Sequence, residues 1–273
     1  MLEAWLPYLG GAAALGASCR WNWWRPLVEG GLPALMYHKI GEPPPGSKLG
    51  KLWVSAEEFR WQMGYLLRYG YTPMLFREVL EAEAGARPWP AKPALVTFDD
   101  GYANNAEVAF PILRALGVKA NIFLVYETLE RHNAWHDPAG EPWIRMLSWA
   151  QVLEMRDSGL VDFGSHTMRH PHLPGLSLEE VRWELAESKR RLEEKLGAPV
   201  LAFAYPYGAG AYVPAIRQAA REAGYRYDFG IRQGISPRDW DPGRDGPIKR
   251  LFIRGDDDRF AFHLNMTRGK ARF

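Results

Sequence analysis

Short apolar runs alternate with longer amphipathic stretches from residue 33 onward, and this alternation limits the folds available to the chain. Seven apolar runs are separated by helix-like segments: 34–37, 94–98, 120–125, 161–163, 200–203, 227–229 and 248–253. Strands interleaved with helices pair in parallel. Seven such units over about 240 residues fit one barrel better than two domains. We therefore expect an α/β fold, a distorted (β/α) barrel of about seven parallel strands.

Three helix starts carry the same local signature. A serine is followed three residues later by Glu or Gln, which together form a capping box at a helix N-terminus. The pairs are Ser55 with Glu58, Ser148 with Gln151, and Ser177 with Glu180. These positions predict where three of the amphipathic stretches become helices.

The first 32 residues differ from the rest of the chain. Residues 4–19 carry no charge, but this run is shorter than the ~20 apolar residues of a membrane-spanning helix. The charges are reversed relative to a secretory signal, since Glu3 precedes the run and Arg20 follows it. A cluster of tryptophans at residues 21–24 is typical of a membrane interface. We expect residues 1–32 to be a tail, either associated with a membrane surface or signal-like, or else a helix packed on a single domain of residues 33–273.

Charge and cysteine content exclude several classes of function. The 34 basic and 32 acidic residues give a net charge of +2, too small for the basic surface that nucleic-acid binding usually needs. We therefore expect no nucleic-acid partner. Cys19 is the single cysteine, so a metal site would have to use His and carboxylate ligands.

Polar residues collect where two predicted strands end. Asp99 and Asp100 follow one strand, while His166 and His170 follow another. Two adjacent carboxylates repel each other unless a cation or a proton intervenes, although a helix cap is an alternative interpretation of the Asp pair. Reactive groups of parallel barrels lie at the carboxyl ends of the strands. Asp100, His166 and His170 would provide three ligands with an open position for water, as in hydrolytic metal sites, with Asp99 beside them as a base.

The sequence resembles the polysaccharide deacetylases that carry a NodB homology domain, carbohydrate esterase family 4. The resemblance covers about residues 33–255 and rests on three motifs in order: Thr97–Gly101, His166–His170 and Phe203–Gly208. It implies a fold of the NodB type. It also implies that Asp99 is the general base, that Asp100, His166 and His170 bind a divalent metal, and that the backbone N–H of Tyr207, next to Pro206, helps to hold an oxyanion.

Two positions depart from the common family pattern. Ala204 stands where an arginine often orients the base, and residues 251–253 lack the usual late histidine. His38 instead resembles the acid of a subgroup of exopolysaccharide deacetylases in which this histidine lies near the N-terminus. We expect His38 to be the general acid, on the face opposite the base, with His263 as a rival. Arg250 is the candidate replacement for the missing arginine.

The resemblance implies a metal-dependent hydrolase that removes N-acetyl groups from N-acetylhexosamine units of a polysaccharide. Zinc is the expected ion, with cobalt, nickel or iron as alternatives. Trp135 and Trp149 are candidate substrate-stacking residues, although packing within loops is the alternative. A deacylase of a small or lipid-linked amide and a non-catalytic carbohydrate-binding protein remain alternative functions. The expected location is the cell envelope or outside the cell, with the cytoplasm as an alternative; the oligomeric state is not predicted.

Overall fold

Seven parallel strands form a closed barrel in the computed structural model, which describes residues 22–271. Each strand pairs with the next in the chain, and β7 pairs with β1. This confirms the expected barrel. The strands are β1 Ala34–Tyr37, β2 Pro93–Phe98, β3 Ala120–Leu124, β4 Val161–Ser165, β5 Ala202–Ala204, β6 Tyr227–Gln233 and β7 Ile248–Phe252.

Helices follow most of the strands, and their N-termini agree with the sequence signatures. Ser148 and Ser177 form complete capping boxes. The side chain of Ser55 accepts a hydrogen bond from the backbone N–H of Glu58. The carboxylate of Glu58 does not complete the capping box and forms an ion pair with Arg259 at 2.9 Å. The helices are α1 Ala56–Arg68, α2 Phe76–Glu83, α3 Phe110–Leu116, α4 Trp149–Asp157, α5 Leu178–Leu196, α6 Pro214–Glu222 and α7 Arg259–Arg268.

The two ends of the barrel interior are filled differently. Phe76, Phe123 and Phe229 meet inside one end, with ring centroids 5.2–5.5 Å apart. The guanidinium of Arg250 lies 5.6 Å from the Phe123 ring centroid and continues toward the carboxyl ends of the strands. The aromatic layer therefore closes the amino-terminal end and supports a polar layer above it.

Short strand pairs add to the barrel at both ends. Gly31–Leu32 pairs antiparallel with Ser236–Pro237, and Thr72–Pro73 pairs with the start of β2. Lys39–Ile40 pairs with Trp53–Val54 just beyond the carboxyl end of β1. This last pair begins and ends a loop that reaches the mouth of the barrel.

The described part of the predicted tail lies along the domain. The N–H of Asn22 donates to the carbonyl of Ala271 at 2.7 Å, and that of Val28 donates to Thr267 at 2.9 Å. Within residues 22–271, no helix is long and apolar enough to cross a membrane. The uncharged run at residues 4–19 lies outside the described residues, as do Arg20 and Trp21. The division at residue 32 therefore remains a prediction.

Candidate active site

A cavity of about 240 Å³ opens at the carboxyl end of the barrel strands. It brings together side chains that are far apart in the sequence. Seven of the predicted site residues line it: His38, Asp99, Asp100, Trp135, His166, His170 and Tyr207.

One carboxylate and two imidazoles converge on a single point of this cavity. Oδ1 of Asp100 lies 3.3 Å from Nε2 of His166 and 3.4 Å from Nε2 of His170. The three ligand atoms all lie within 4.8 Å of one another, and all three residues are buried. Burial alone would raise the pKa of Asp100, but the two histidines hold it well below its usual value. This cluster could hold a divalent cation.

The tautomer of His166 follows from its second ring nitrogen. Nδ1 lies 2.8 Å from the carbonyl oxygen of Ala204. A carbonyl can only accept, so Nδ1 carries the proton and Nε2 presents a lone pair toward Asp100. Ala204, which replaces the family arginine, thus contributes its backbone to the site.

The loops that carry these side chains contain unusual backbone conformations. Asp100, Thr167, His170 and Tyr207 have φ between 58° and 74°, a left-handed region that non-glycine residues seldom occupy and that costs about 1–3 kcal/mol. Glu130 is the fifth such residue in the described chain. Strained backbone is therefore concentrated at the mouth of the barrel.

Buried hydrogen bonds maintain the backbone between the two histidines. Thr167 Oγ1 accepts from the N–H of His170 at 2.9 Å. One carboxylate oxygen of Glu184, on α5, accepts from the N–H groups of Met168 and Arg169 at 2.8 and 3.2 Å. Burial raises the pKa of Glu184. A helix on the outside of the barrel therefore fixes the histidine loop.

Asp99 and Arg250 form a two-point ion pair beside the cluster. The guanidinium nitrogens of Arg250 contact the two carboxylate oxygens at 2.5 and 2.8 Å, and Nε donates to the carbonyl of Gly230. Arg250 is fully buried. Burial alone would raise the pKa of Asp99, but the charges of Arg250, His166 and His38 together with the hydrogen bonds from Arg250 outweigh it and lower the pKa. Asp99 is therefore ionised and fixed in orientation.

His38 lies beside Asp99 rather than on the opposite face of the cavity. Its Nε2 is 4.0 Å from Oδ2 of Asp99. The side-chain amide of Asn105 donates to the backbone carbonyl of His38 at 2.9 Å and holds this segment. Burial lowers the pKa of His38, while Asp100 and Asp99 act in the opposite direction.

The third motif forms a tight turn at the edge of the cavity. Pro206 begins a 3₁₀ turn, Pro206–Gly208, in which Tyr207 is left-handed and its ring meets His170 edge-on at 4.5 Å. The hydroxyl of Tyr205 donates to Asp228 at 2.9 Å. Arg217 also contacts both carboxylate oxygens of Asp228, so the turn is fixed from beneath.

The remaining predicted residues divide into one that lines the cavity and two that do not. The ring of Trp135 stacks on His170 at 4.3 Å. Trp149 begins α4, where its ring packs against Tyr126 rather than lining the cavity, so its predicted contact with substrate is not supported. His263 lies on α7, within 2.8 Å of the hydroxyl of Tyr65, and is also absent from the cavity lining.

Tyr102 is a cavity residue that the sequence analysis did not identify. It is fully buried, and burial together with the charge of Asp100 raises its pKa well above the usual value. Tyr102 comes two residues after Asp100, so proximity to the motif was the available signal. Leu49 and Leu52 in a loop and Ile231 on β6 also line the cavity, but isolated apolar residues give no sequence signal of this kind.

Known proteins share both the sequence pattern and the fold. The family model described as polysaccharide deacetylase matches residues 86–227. The Bacillus subtilis protein YxkH, named for polysaccharide deacetylase activity, is 30% identical over 209 residues, or 76% of this chain and 67% of the relative. A crystal structure of the Bacillus cereus polysaccharide deacetylase BC0361 is 27% identical, with a TM-score of 0.73 over 86% of this chain and 69% of that one.

A third relative has a more specific name. The Escherichia coli poly-β-1,6-N-acetyl-D-glucosamine N-deacetylase is 28% identical over 153 residues, which is 52% of this chain. The match spans 21% of the E. coli enzyme.

The chain belongs to the polysaccharide deacetylase family. The predicted family and enzyme class, a hydrolase that removes acetyl groups from polysaccharides, are thereby confirmed.

Proposed function

We propose that this protein is a metal-dependent deacetylase of N-acetylhexosamine units in a polysaccharide. The observation that carries the proposal is the oriented carboxylate of Asp99, which lies in the same open cavity as the cluster of Asp100, His166 and His170. Binding of a sugar alone would not require a buried base beside a potential metal site. The specific name of the E. coli relative supports an N-acetylglucosamine polymer as the substrate.

Asp100, His166 and His170 would hold the metal, and zinc is our proposed ion. The three ligand atoms all lie within 4.8 Å of one another, and a carboxylate oxygen with two imidazole nitrogens is a donor set that zinc accepts. When bound, the ion acidifies a water molecule and polarises the acetyl carbonyl. Cobalt, nickel and iron accept similar ligands, so availability would decide among them.

Asp99 would act as the general base that takes a proton from the attacking water. Arg250 holds both carboxylate oxygens, so Asp99 cannot rotate away from the cavity. The same pair keeps the carboxylate ionised and able to accept a proton. Arg250 is therefore a positioning residue in this proposal.

His38 would donate a proton to the amine nitrogen as it leaves. An amide nitrogen is a poor leaving group as an anion, so a general acid is needed. Because His38 lies 4.0 Å from Asp99, the base and the acid are adjacent, and a proton removed from water has a short route to the leaving group. The backbone N–H of Tyr207 would donate to the oxyanion, a contribution of the order of 3 kcal/mol.

The proposal also concerns where the protein acts. A polymeric sugar substrate supports a location in the cell envelope or outside the cell. We retain the proposal that residues 1–32 are a tail with an affinity for a membrane surface, while residues 33–273 are the deacetylase domain. The exposed side chains of Trp23, Trp24 and Leu27 in the described part of the tail support it.

Acetate release from a panel of acetylated oligosaccharides, with and without a chelator, tests the function. We expect release from N-acetylglucosamine oligomers, its loss in the chelator and its recovery on adding zinc. Full activity after the metal is removed would contradict metal dependence. Hydrolysis of small acetamides but not of any oligomer would contradict the proposed substrate class.

A further inference from the structure

Two loops build one wall of the cavity. The first rim loop, residues 41–52, contributes Leu49 and Leu52, while the second rim loop, residues 129–147, contributes Trp135 and His136. None of these four side chains belongs to the proposed metal ligands or proton-transfer groups. The wall therefore has the position expected of a surface that contacts the sugar rather than the reacting atoms.

Glu141 joins the two rim loops. Ser47 Oγ donates to Oε1 of Glu141 at 2.6 Å, and the backbone N–H of Lys48 donates to Oε2 at 2.8 Å. These partners are more than 90 residues apart in the sequence. The residue is 6% exposed, so water competes weakly for the carboxylate. Both of its oxygens are thus used to connect one loop to the other.

A buried cation lies near this connection. Lys39 is fully buried, and its ammonium lies 4.6 Å from the ring centroid of Tyr102 and 5.5 Å from that of Trp53. Burial alone would raise the pKa of Glu141, but the bonds from Ser47 and Lys48 and the charge of Lys39 lower it. The charge of Glu141 therefore adds to that of Asp100 in compensating a lysine whose ammonium has no hydrogen-bond partner among the described residues.

We infer that Glu141 is a positioning residue that clamps the two rim loops together and thereby fixes the wall against which the sugar binds. The inference rests on the proposed function, because it assumes that an acetylated sugar occupies the cavity. Asp99, Asp100 and His166 are at or just beyond the ends of barrel strands, and Glu141 contacts none of them. Trp135 of the second rim loop stacks on His170, but the backbone around His170 is held separately by Thr167 and Glu184. Loosening the clamp should therefore weaken sugar binding while leaving the metal and the base in place.

Three variants and two substrates test the clamp. Glu141→Ala removes both hydrogen bonds, Ser47→Ala removes one, and Glu141→Gln keeps one acceptor oxygen but replaces the other by an amide that cannot accept. The substrates are an N-acetylglucosamine oligomer and a small activated aryl acetate, which reports on the metal and the base without a sugar. Glu78→Gln is the matched control, since Glu78 is equally buried at 6% and its partners, Leu75, Lys119 and Arg87, lie outside the cavity.

We expect Glu141→Ala to raise KM for the oligomer about tenfold, in line with the loss of about two hydrogen bonds. Its kcat on the oligomer, its aryl acetate turnover and its zinc content should stay within about twofold of wild type. Ser47→Ala and Glu141→Gln should have smaller effects in the same direction. Glu78→Gln should change none of these quantities.

Hydrogen exchange gives a readout that does not depend on activity. The amides of residues 46–49, which follow three prolines, should exchange faster in Glu141→Ala than in wild type or Glu78→Gln. Unchanged exchange together with an unchanged KM overturns the inference, and so does an equal loss on oligomer and aryl acetate. If Glu141→Ala does not fold, Ser47→Ala and Glu141→Gln decide by the same criteria. Wild-type protein that releases no acetate from oligomers would instead refute the proposed function. The exchange measurement would still test whether Glu141 holds the two rim loops together.

Discussion

The two ends of the barrel interior show how one set of strands supports two kinds of packing. At the amino-terminal end, Phe76, Phe123 and Phe229 fill the interior with apolar rings. At the carboxyl end, Asp99 and Arg250 are just as deeply buried but are charged. Apolar packing tolerates changes of shape, whereas a buried charge is stable only with its partner. The comparison indicates that the first end maintains the barrel, while the second holds the charged groups to which the proposed function assigns the reaction.

The largest expected effects on activity come from substitutions of the two adjacent acids, Asp99 and Asp100, at the carboxyl end of the barrel. Asp99→Asn should retain zinc and lose about 10³-fold in deacetylation, because the amide cannot accept the proton of water. Asp100→Asn should lose both zinc and activity, since it contributes one of the three ligand atoms. Metal analysis and acetate release on the same preparations would check this. Equal loss of zinc in both variants would contradict the separate roles of the two residues.

His38→Ala should produce a selective loss. Turnover of an acetamido sugar should fall about 10²-fold or more, because its amine must be protonated as it leaves. Hydrolysis of an activated aryl acetate, whose phenolate needs little protonation, should fall far less, and zinc content should not change. His263→Ala is the control, because His263 bonds to Tyr65 away from the cavity. A selective loss in the control would transfer the acid role to His263.

Removing Arg250 tests the cost of a buried charge without its partner. Arg250→Leu should lower the free energy of unfolding by about 3–5 kcal/mol at neutral pH. Arg250 lowers the pKa of Asp99 in the folded protein, so this stabilisation exists above the unfolded-state pKa of about 3.9 and disappears as pH falls through the folded value. The difference in the free energy of unfolding between wild type and variant should therefore become smaller at acidic pH, as measured by urea unfolding. A difference in the free energy of unfolding that does not depend on pH would show that the loss of stability comes from lost packing rather than from the unpaired charge.

The smallest effect should come from the aromatic end. Phe76→Leu keeps an apolar side chain of similar volume and should cost about 1.5 kcal/mol or less. Acetate release should remain within about twofold of wild type, because no reacting group contacts Phe76. Unfolding and activity measured together would test the division between the ends. A large loss of activity at unchanged stability would show that the aromatic layer also controls the site.

Local sequence patterns predicted the parts of the protein that depend on near neighbours. The seven strands and the caps at Ser148 and Ser177 follow from spacing within a few residues, and the structure confirms them. The motif histidines and acids were located at strand ends for the same reason. The hypothesis for Arg250 needed one further argument, that this residue opens the last apolar run and that a guanidinium can bind a carboxylate at two points.

Contacts between distant segments were not predictable in this way. Glu141 and Glu184 are acidic residues in an ordinary loop and an ordinary helix, and their bonds to backbone N–H groups appear only after folding. The position of Trp149 outside the cavity lining was not predictable for a related reason. Its position near other aromatic residues in the sequence gave no information on the direction of its ring, which packs against Tyr126.

Closure of the barrel by its last strand has a consequence for the order of assembly. Arg250 lies on β7 and reaches Asp99 across a separation of 151 residues, whereas the histidine loop and Asp100 belong to the middle of the chain. Contacts of such long range carry a large cost in loop-closure entropy. A nascent chain that ends before Ile248 would contain all three proposed metal ligands but not the arginine that orients the proposed base. The ability to hydrolyse substrate should therefore appear only when β7 pairs with β1 and closes the barrel.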